Sequence, residues 1–190
     1  MKLLKTILII AVLICVIIKR TETQMPWSET TASTMPKFVV SRELADEFYY
    51  GYNDYRKHSG LDTLAVDSIL ELSATRHSVY MMVLNVSGKI SEFGTTHMED
   101  IDLKNVDELL TPSDRVYAYD PTKRYHIAEN VTGIFGRNFH MGNEILEQWI
   151  NSPDHNIVLL SPKNRRMGIG IIKGNINGVS CMYVTLVVTD

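Results

Sequence analysis

The stretch "ILEQWINSPDHNIVLLSPKNRRMGIG", Ile145 to Gly170, decides the fold of this chain. Its residue types stand in an order that a hydrophobic core alone does not require. A helix over Asn143–Asn151 carries Trp149 in its last turn, where a large aromatic ring anchors it in the core. Pro153 ends that helix, because the residue before a proline is pushed out of helical geometry. The following turn holds His155 and is covered by Leu159 and Leu160. A strand then begins near Met167, and Gly168 and Gly170 leave one of its faces open to close backbone approach.

Working outward, "RRMGIGIIK" and "VSCMYVTLVV" are β-rich runs joined through "GNING", and the Asn177-Gly178 pair marks a hairpin. Upstream, "SRELADEFYYGYNDYRKHSG" opens on Ser41 as a candidate N-cap and closes on Gly60. Leu44, Phe48, Tyr52 and Tyr55 fall on one face of that helix. A second helix covers about Asp67–Leu84, with Leu70, Ala74, His77 and Met81 on its inner stripe. Long helices, then a short helix and a terminal hairpin, argue α+β with segregated layers. Residues 98–127 carry the weakest signals: Val106–Leu110 reads as a helical turn, and Pro112 and Pro121 bracket a loop. Glycosylation sequons stand at Asn85 and Asn130.

The N-terminal residues predict export. Ile7–Ile18 is an unbroken apolar run behind Lys2 and Lys5, shorter than the roughly 20 residues of a full membrane span. No small-x-small cleavage site follows, so residues 1–20 read as an uncleaved, membrane-associated signal anchor, with a cleaved signal peptide as the alternative. Residues 21–40 are rich in Thr and Ser and read as a linker; the folded domain is expected over 41–190. Beyond residue 24, 15 basic residues face 21 acidic ones, a balance of −6. An acidic domain without a basic stripe argues against nucleic acid as partner. Cys181 is the one cysteine outside the apolar run, so no disulfide within the domain is expected.

Three features hold a fixed order: "GTTHMED" with His97, "IAENVT" with Glu129, and "WINSPDHNIVLLSPKNRRMGIG" with His155. Together with "YNDYRKHSGLDTLAVDSILELSATRHSVYM" they resemble the CAP superfamily of cysteine-rich secretory proteins, antigen 5 and pathogenesis-related proteins, also called SCP domains. The Ser-Pro-x-His form and the scarcity of cysteine are similar to bacterial-type members. The resemblance covers about Leu44 to Val188 and implies a three-layer α-β-α sandwich. It further implies a cleft lined by two His and two acidic residues, which in some members binds a divalent metal such as zinc. His97 matches the first His, Glu129 the first acid and His155 the second His. The second acid usually lies three residues after the helix Trp, where this chain has Ser152; Asp154, Glu144 or Glu147 could substitute only from another place. Ala128 also stands where the family has Gly.

Two readings of the cleft follow. In one, Glu129 and the His residues form a structural hydrogen-bond network, Asn130 bonds to backbone and His77 is a satisfied core histidine. In the other, His97, His155 and Glu129 hold a metal, since imidazole and carboxylate suit zinc and three protein ligands leave a position for water. The function expected from the resemblance is an exported, non-enzymatic binding or interaction module for a lipid, sterol or protein ligand, with no required cofactor. The alternative is a metal-dependent hydrolase with Glu129 as general base. His58, His126 and His140 are expected at the surface.

Overall fold

The Asn177-Gly178 hairpin forms the centre of the molecule. In the computed structural model, which describes residues 38–86, 94–99, 111–121, 126–136 and 142–190, strands β4 (Arg166–Ile176) and β5 (Val179–Thr189) pair antiparallel along their whole length. Asn177 (φ 53°) and Gly178 (φ 85°) both take the left-handed backbone that a two-residue type I′ turn demands. Asn175 locks the turn by accepting the Gly178 N–H on its Oδ1 at 2.7 Å. Strand β3 (Ile127–Phe135) adds antiparallel to β5, and β1 (Phe38–Val40) adds antiparallel to β4. The main order is β1-β4-β5-β3, with the two-residue β2 (Ala65–Val66) parallel to β4. β1 therefore brings residues read as the end of a linker into the sheet. Three residues carry no periodicity, and only pairing with Ile172–Gly174 makes them a strand.

Alternation along the strands sorts the helices into two outer layers. Met167, Ile169 and Ile171 of β4 and Met182, Val184, Leu186 and Val188 of β5 share one core with three helices. These are α1 (Arg42–His58), α4 (Gly142–Ile150) and α5 (Pro153–Leu159). The intervening residues face α2 (Ser68–Val86) and α3 (Pro112–Tyr119): Val187 and Ile127 pack with Leu70, Ala74 and Val116. The architecture is the three-layer α-β-α sandwich. Leu44, Phe48 and Tyr52 of α1 are buried and Tyr55 packs on them, as are Leu70, Ala74, His77 and Met81 of α2, matching the stripes read from sequence. α1 stops at Gly60 (φ 74°), whose N–H reaches the Lys57 carbonyl while Leu61 N–H reaches that of Arg56, a Schellman ending. At its other end Ser41 occupies the N-cap position without a side-chain cap bond.

Two segments differ from the sequence expectation. Pro153 ends α4 but also opens α5, since proline suits the first helical position; the expected turn around His155 is this short helix. The loop expected between Pro112 and Pro121 is largely α3, started by a capping box of Thr111 and Asp114 with Pro112 in its first turn. Asn130 is buried and its Nδ2 donates to the His155 carbonyl at 3.0 Å, so that sequon is closed to glycosylation in the folded domain. His58 and His126 are exposed. The expectations for residues 1–37, for Val106–Leu110 and for His140 lie outside the described residues. Among the described residues no helix is long and apolar enough to cross a membrane.

Gly168 and Gly170 let α2 lie on β4 backbone to backbone. A Cβ on Gly168 would stand 2.2 Å from the Glu71 nitrogen, and one on Gly170 2.3 Å from that of Thr75. Ser78 Oγ donates into this contact, to the Gly170 carbonyl at 2.9 Å. Gly170→Ala is therefore expected to cost at least about 3 kcal/mol, the upper end for overpacking, because helix backbone cannot yield as a side chain can. Trp149, fully buried edge-to-face on Phe48 at 5.6 Å, should cost about 3–5 kcal/mol on truncation to Ala. Denaturant midpoints of the two variants check both values; an unchanged midpoint in either would refute the packing described for it.

Candidate functional site

Thr111-Pro-Ser-Asp114 starts α3. Asp114 N–H donates to Thr111 Oγ1 at 3.2 Å and Thr111 N–H to Asp114 Oδ2 at 2.8 Å, a reciprocal capping box with Pro112 inside the first turn. That helical turn carries Arg115, fully buried, to the sheet face that bears Glu129 of β3. Arg115 Nη2 donates to Glu129 Oε2 in a short charge-assisted contact, and Nη1 donates to the His97 carbonyl at 3.0 Å. The Arg115 Nε lies 3.7 Å from Glu99 Oε1.

His97 Nδ1 stands 3.0 Å from Glu129 Oε1. An ionised carboxylate only accepts, so Nδ1 carries the proton in this pair. The His97 ring is 52% exposed while the Glu129 side chain is 1% exposed, so the imidazole caps a buried acid from the solvent side. His77, fully buried on α2, completes the cluster: its Nε2 lies 2.7 Å from the Thr96 carbonyl and 3.8 Å from Glu129 Oε1, and its Nδ1 is 3.2 Å from Glu99 Oε1. Arg76 Nη2 reaches Glu99 Oε2 at 3.4 Å. Burial alone would raise the Glu129 pKa, but the His97 hydrogen bond and the charges of His77 and Arg115 outweigh it, and the net shift is downward. Glu129 is a firmly ionised carboxylate.

Ser152 and His155 form a second pair. His155 Nδ1 lies 2.7 Å from Ser152 Oγ, and the imidazole stacks on Trp149 with ring centres 6.2 Å apart. Ser152 is the N-cap residue of α5, yet its hydroxyl makes no cap bond, being engaged with His155 instead. Asn130 joins this pair to β3 through the His155 carbonyl. Glu129 and Asn130 are neighbours in one strand and so project to opposite faces, Glu129 toward α2 and α3, Asn130 toward α5. The structure thus brings His97 to Glu129 and Ser152 to His155, on the two sides of β3.

The metal reading can be set against this geometry. Both Glu129 oxygens are already held, one by a guanidinium and one by an imidazole, and the added charge of a cation would be repelled by Arg115. Among the described residues no group of three or more His, Cys, Asp or Glu is arranged to hold a metal ion. The residues do not fit a zinc ion held jointly by His97, His155 and Glu129. Sequence reasoning missed Glu99, Arg115 and Arg76, and gave His77 a core role without its charged partners. For Arg115 a signal existed, the capping box; Glu99 is an isolated residue outside any helix or long strand, with no pattern to read.

The depressed Glu129 pKa makes acid stability a test. A group with a lowered folded pKa contributes fully above its unfolded value, about 4.3, and that contribution is lost as pH falls through the folded value. Glu129→Gln should cost about 3 kcal/mol at neutral pH, the low end for breaking a buried ion pair because Glu99 remains near Arg115. The variant should also lose less of its remaining stability between pH 5 and pH 2 than the parent does. Urea titrations across that range decide it; parallel acid limbs would remove Glu129 from the account.

The family comparison agrees with this architecture. The model of the family described as "CAP: Cysteine-rich secretory protein family" matches residues 49–187. A search of curated protein sequences finds no match. Among solved structures the chain is similar to an outer surface protein from Borrelia burgdorferi, at 20% identity and TM-score 0.57, covering 82% of this chain and 98% of that one. It is also similar to an extracellular protein containing a SCP domain from Bacillus anthracis, at 20% identity and TM-score 0.55, covering 77% of this chain and 40% of that one. With the order of His97, Glu129 and His155 and the sandwich around them, the match over most of its length places this chain in the CAP family of cysteine-rich secretory proteins.

Proposed function

We propose that this chain is an exported CAP domain that works as a non-enzymatic binding or interaction module, with a protein or lipid ligand and no required cofactor. The observation that carries this reading is the commitment of Glu129. A hydrolase built on this cleft would use it as general base, and such a base needs a free lone pair and a pKa raised toward the working pH. Glu129 lacks the raised pKa, its proton affinity being lowered, and each of its oxygens already accepts a hydrogen bond, one from Arg115 and one from His97. Ser152, standing where the family usually has its second acid, supplies no replacement, since a neutral hydroxyl, here hydrogen-bonded to His155, is not a general base. Export is supported by the apolar N-terminal run and by the names of two similar structures, an outer surface protein and an extracellular protein.

The test is hydrolysis. Purified full-length chain is incubated with p-nitrophenyl esters, a casein substrate and added zinc. The expected rate is background, equal for the parent and for Glu129→Gln. Turnover by the parent that disappears in a folded Glu129→Gln protein, judged by circular dichroism, would overturn the reading in favour of the metal-dependent hydrolase.

A further inference from the structure

Arginines divide unevenly over this domain. Among the described residues, Arg42, Arg76, Arg115 and Arg166 each meet a carboxylate within 4.0 Å. The two others, Arg56 and Arg165, meet none; both bond to backbone carbonyls of the segment 159–164, and Arg56 Nε donates in addition to the Asp62 carbonyl at 2.8 Å. Arg56, fully buried, donates through Nη1 to Leu159 at 2.7 Å and to Ser161 at 3.1 Å. Arg165 donates to Pro162 at 2.7 Å and to Asn164 at 2.8 Å. Between them Lys163 is exposed, and no described carboxylate pairs with it. Carbonyl dipoles orient a guanidinium without cancelling its charge. In a domain with an overall balance of −6, this corner presents two exposed cations, Lys163 and Arg165, that no described carboxylate meets within 4.0 Å. Arg56 contributes field rather than contact, while Lys163 and Arg165 stand at the surface.

The same segment walls an open apolar groove of about 450 Å³, lined by Pro153, Asn156, Ile157, Leu160, Ser161 and Pro162. Ile157 is 72% exposed there, a large branched side chain that packs in neither core. Asp154, the acidic residue on the first turn of α5, makes no ion pair with Lys163 or Arg165. An exposed apolar side chain beside a groove, rimmed by unpaired cations, has the anatomy of a contact patch rather than of a solvated surface.

We propose that this corner docks an acidic, apolar segment of a protein partner, with an apolar side chain of the partner against Ile157 and a carboxylate facing Lys163 and Arg165. Charge complementarity favours such a partner, because like-charged segments are rejected there and acidic ones are steered to it. The groove is shallow and open, which suits a side chain. An acyl chain would leave much of its length in water, and an anionic bilayer would repel the acidic remainder of the domain. The proposal rests on the binding-module reading above, but its test reads neither hydrolysis nor metal, so each can fail alone.

Random peptides displayed on phage are panned on immobilised full-length chain and, in parallel, on the Ile157→Ser/Lys163→Glu double variant. Both positions are exposed, and thermal melts confirm that the variant folds. The expected outcome is enrichment on the parent of peptides pairing Asp or Glu with Leu, Ile or Phe. Synthetic versions of those peptides should bind the variant about tenfold more weakly and release from the parent as salt rises. Enrichment of basic or uncharged peptides, equal enrichment on both proteins, or none on either, would overturn the proposal. Phosphatidylglycerol vesicles are the control: binding by the parent that the double variant loses would give the patch to a lipid surface and overturn the protein partner.

Discussion

Helix α2 rests on β4 with no side chains between their backbones at Gly168 and Gly170, and most of the site depends on that contact. Any Cβ there would lift the helix away from the sheet. On the same helix, Ser78 bonds into the Gly170 carbonyl, while His77 meets the Glu99 carboxylate and the Thr96 carbonyl. The glycines thus set the depth at which an imidazole meets the acids of the cluster. A hairpin with ordinary side chains on this face would still form, but it could not hold His77 3.8 Å from Glu129.

Around Glu129 the molecule concentrates ionisable groups that are costly to bury singly and tolerable only together. Glu99 and Glu129 face Arg115, with Arg76 and His77 on the Glu99 side and His97 closing the solvent side. Each pair joins elements distant in sequence: α2 to the 94–99 segment, α3 to β3, and that segment to β3. The cluster therefore clamps the α2–α3 layer to the edge of the sheet. Desolvation makes it a weak source of net stability but a strict one, since removing a single member strands its partner without water or counter-charge. The same commitment lowers the proton affinity of Glu129, the observation on which the proposed binding role rests.

On the opposite side of β3 the polar contacts are neutral. Ser152 with His155, Asn130 with the His155 carbonyl, and the Thr132 and Gln148 pair tie α4 and α5 to the strand without any buried ion pair. Arg56 is a buried cation on that side, and the carbonyl oxygens of Asp62, Leu159 and Ser161 accept from its Nε and Nη1. Adjacent residues of one extended strand, Glu129 and Asn130, thus serve two layers with different electrostatics.

The sequence by itself determined the parts whose signals are local. The Asn177-Gly178 turn, the 4-4-3 stripe of α1, the inner stripe of α2, the place of Trp149 and the close approach at Gly168 and Gly170 each follow from backbone sterics or periodicity within a few residues. The ordered motifs around His97, Glu129 and His155 gave the family and, through it, the sandwich. The capping box at Thr111–Asp114 was equally local and went unread behind two prolines. What only the tertiary structure decided is the set of charged neighbours. Glu99, Arg115 and His77 stand far apart in the chain or outside any repeating pattern, and no spacing rule announces that they meet. Ser152 and His155 are three residues apart, yet only the fold puts their pair on the far side of β3 from Glu129. The physical reason is that a buried charge is placed by the counter-charge that makes its burial tolerable, and that counter-charge arrives from another layer.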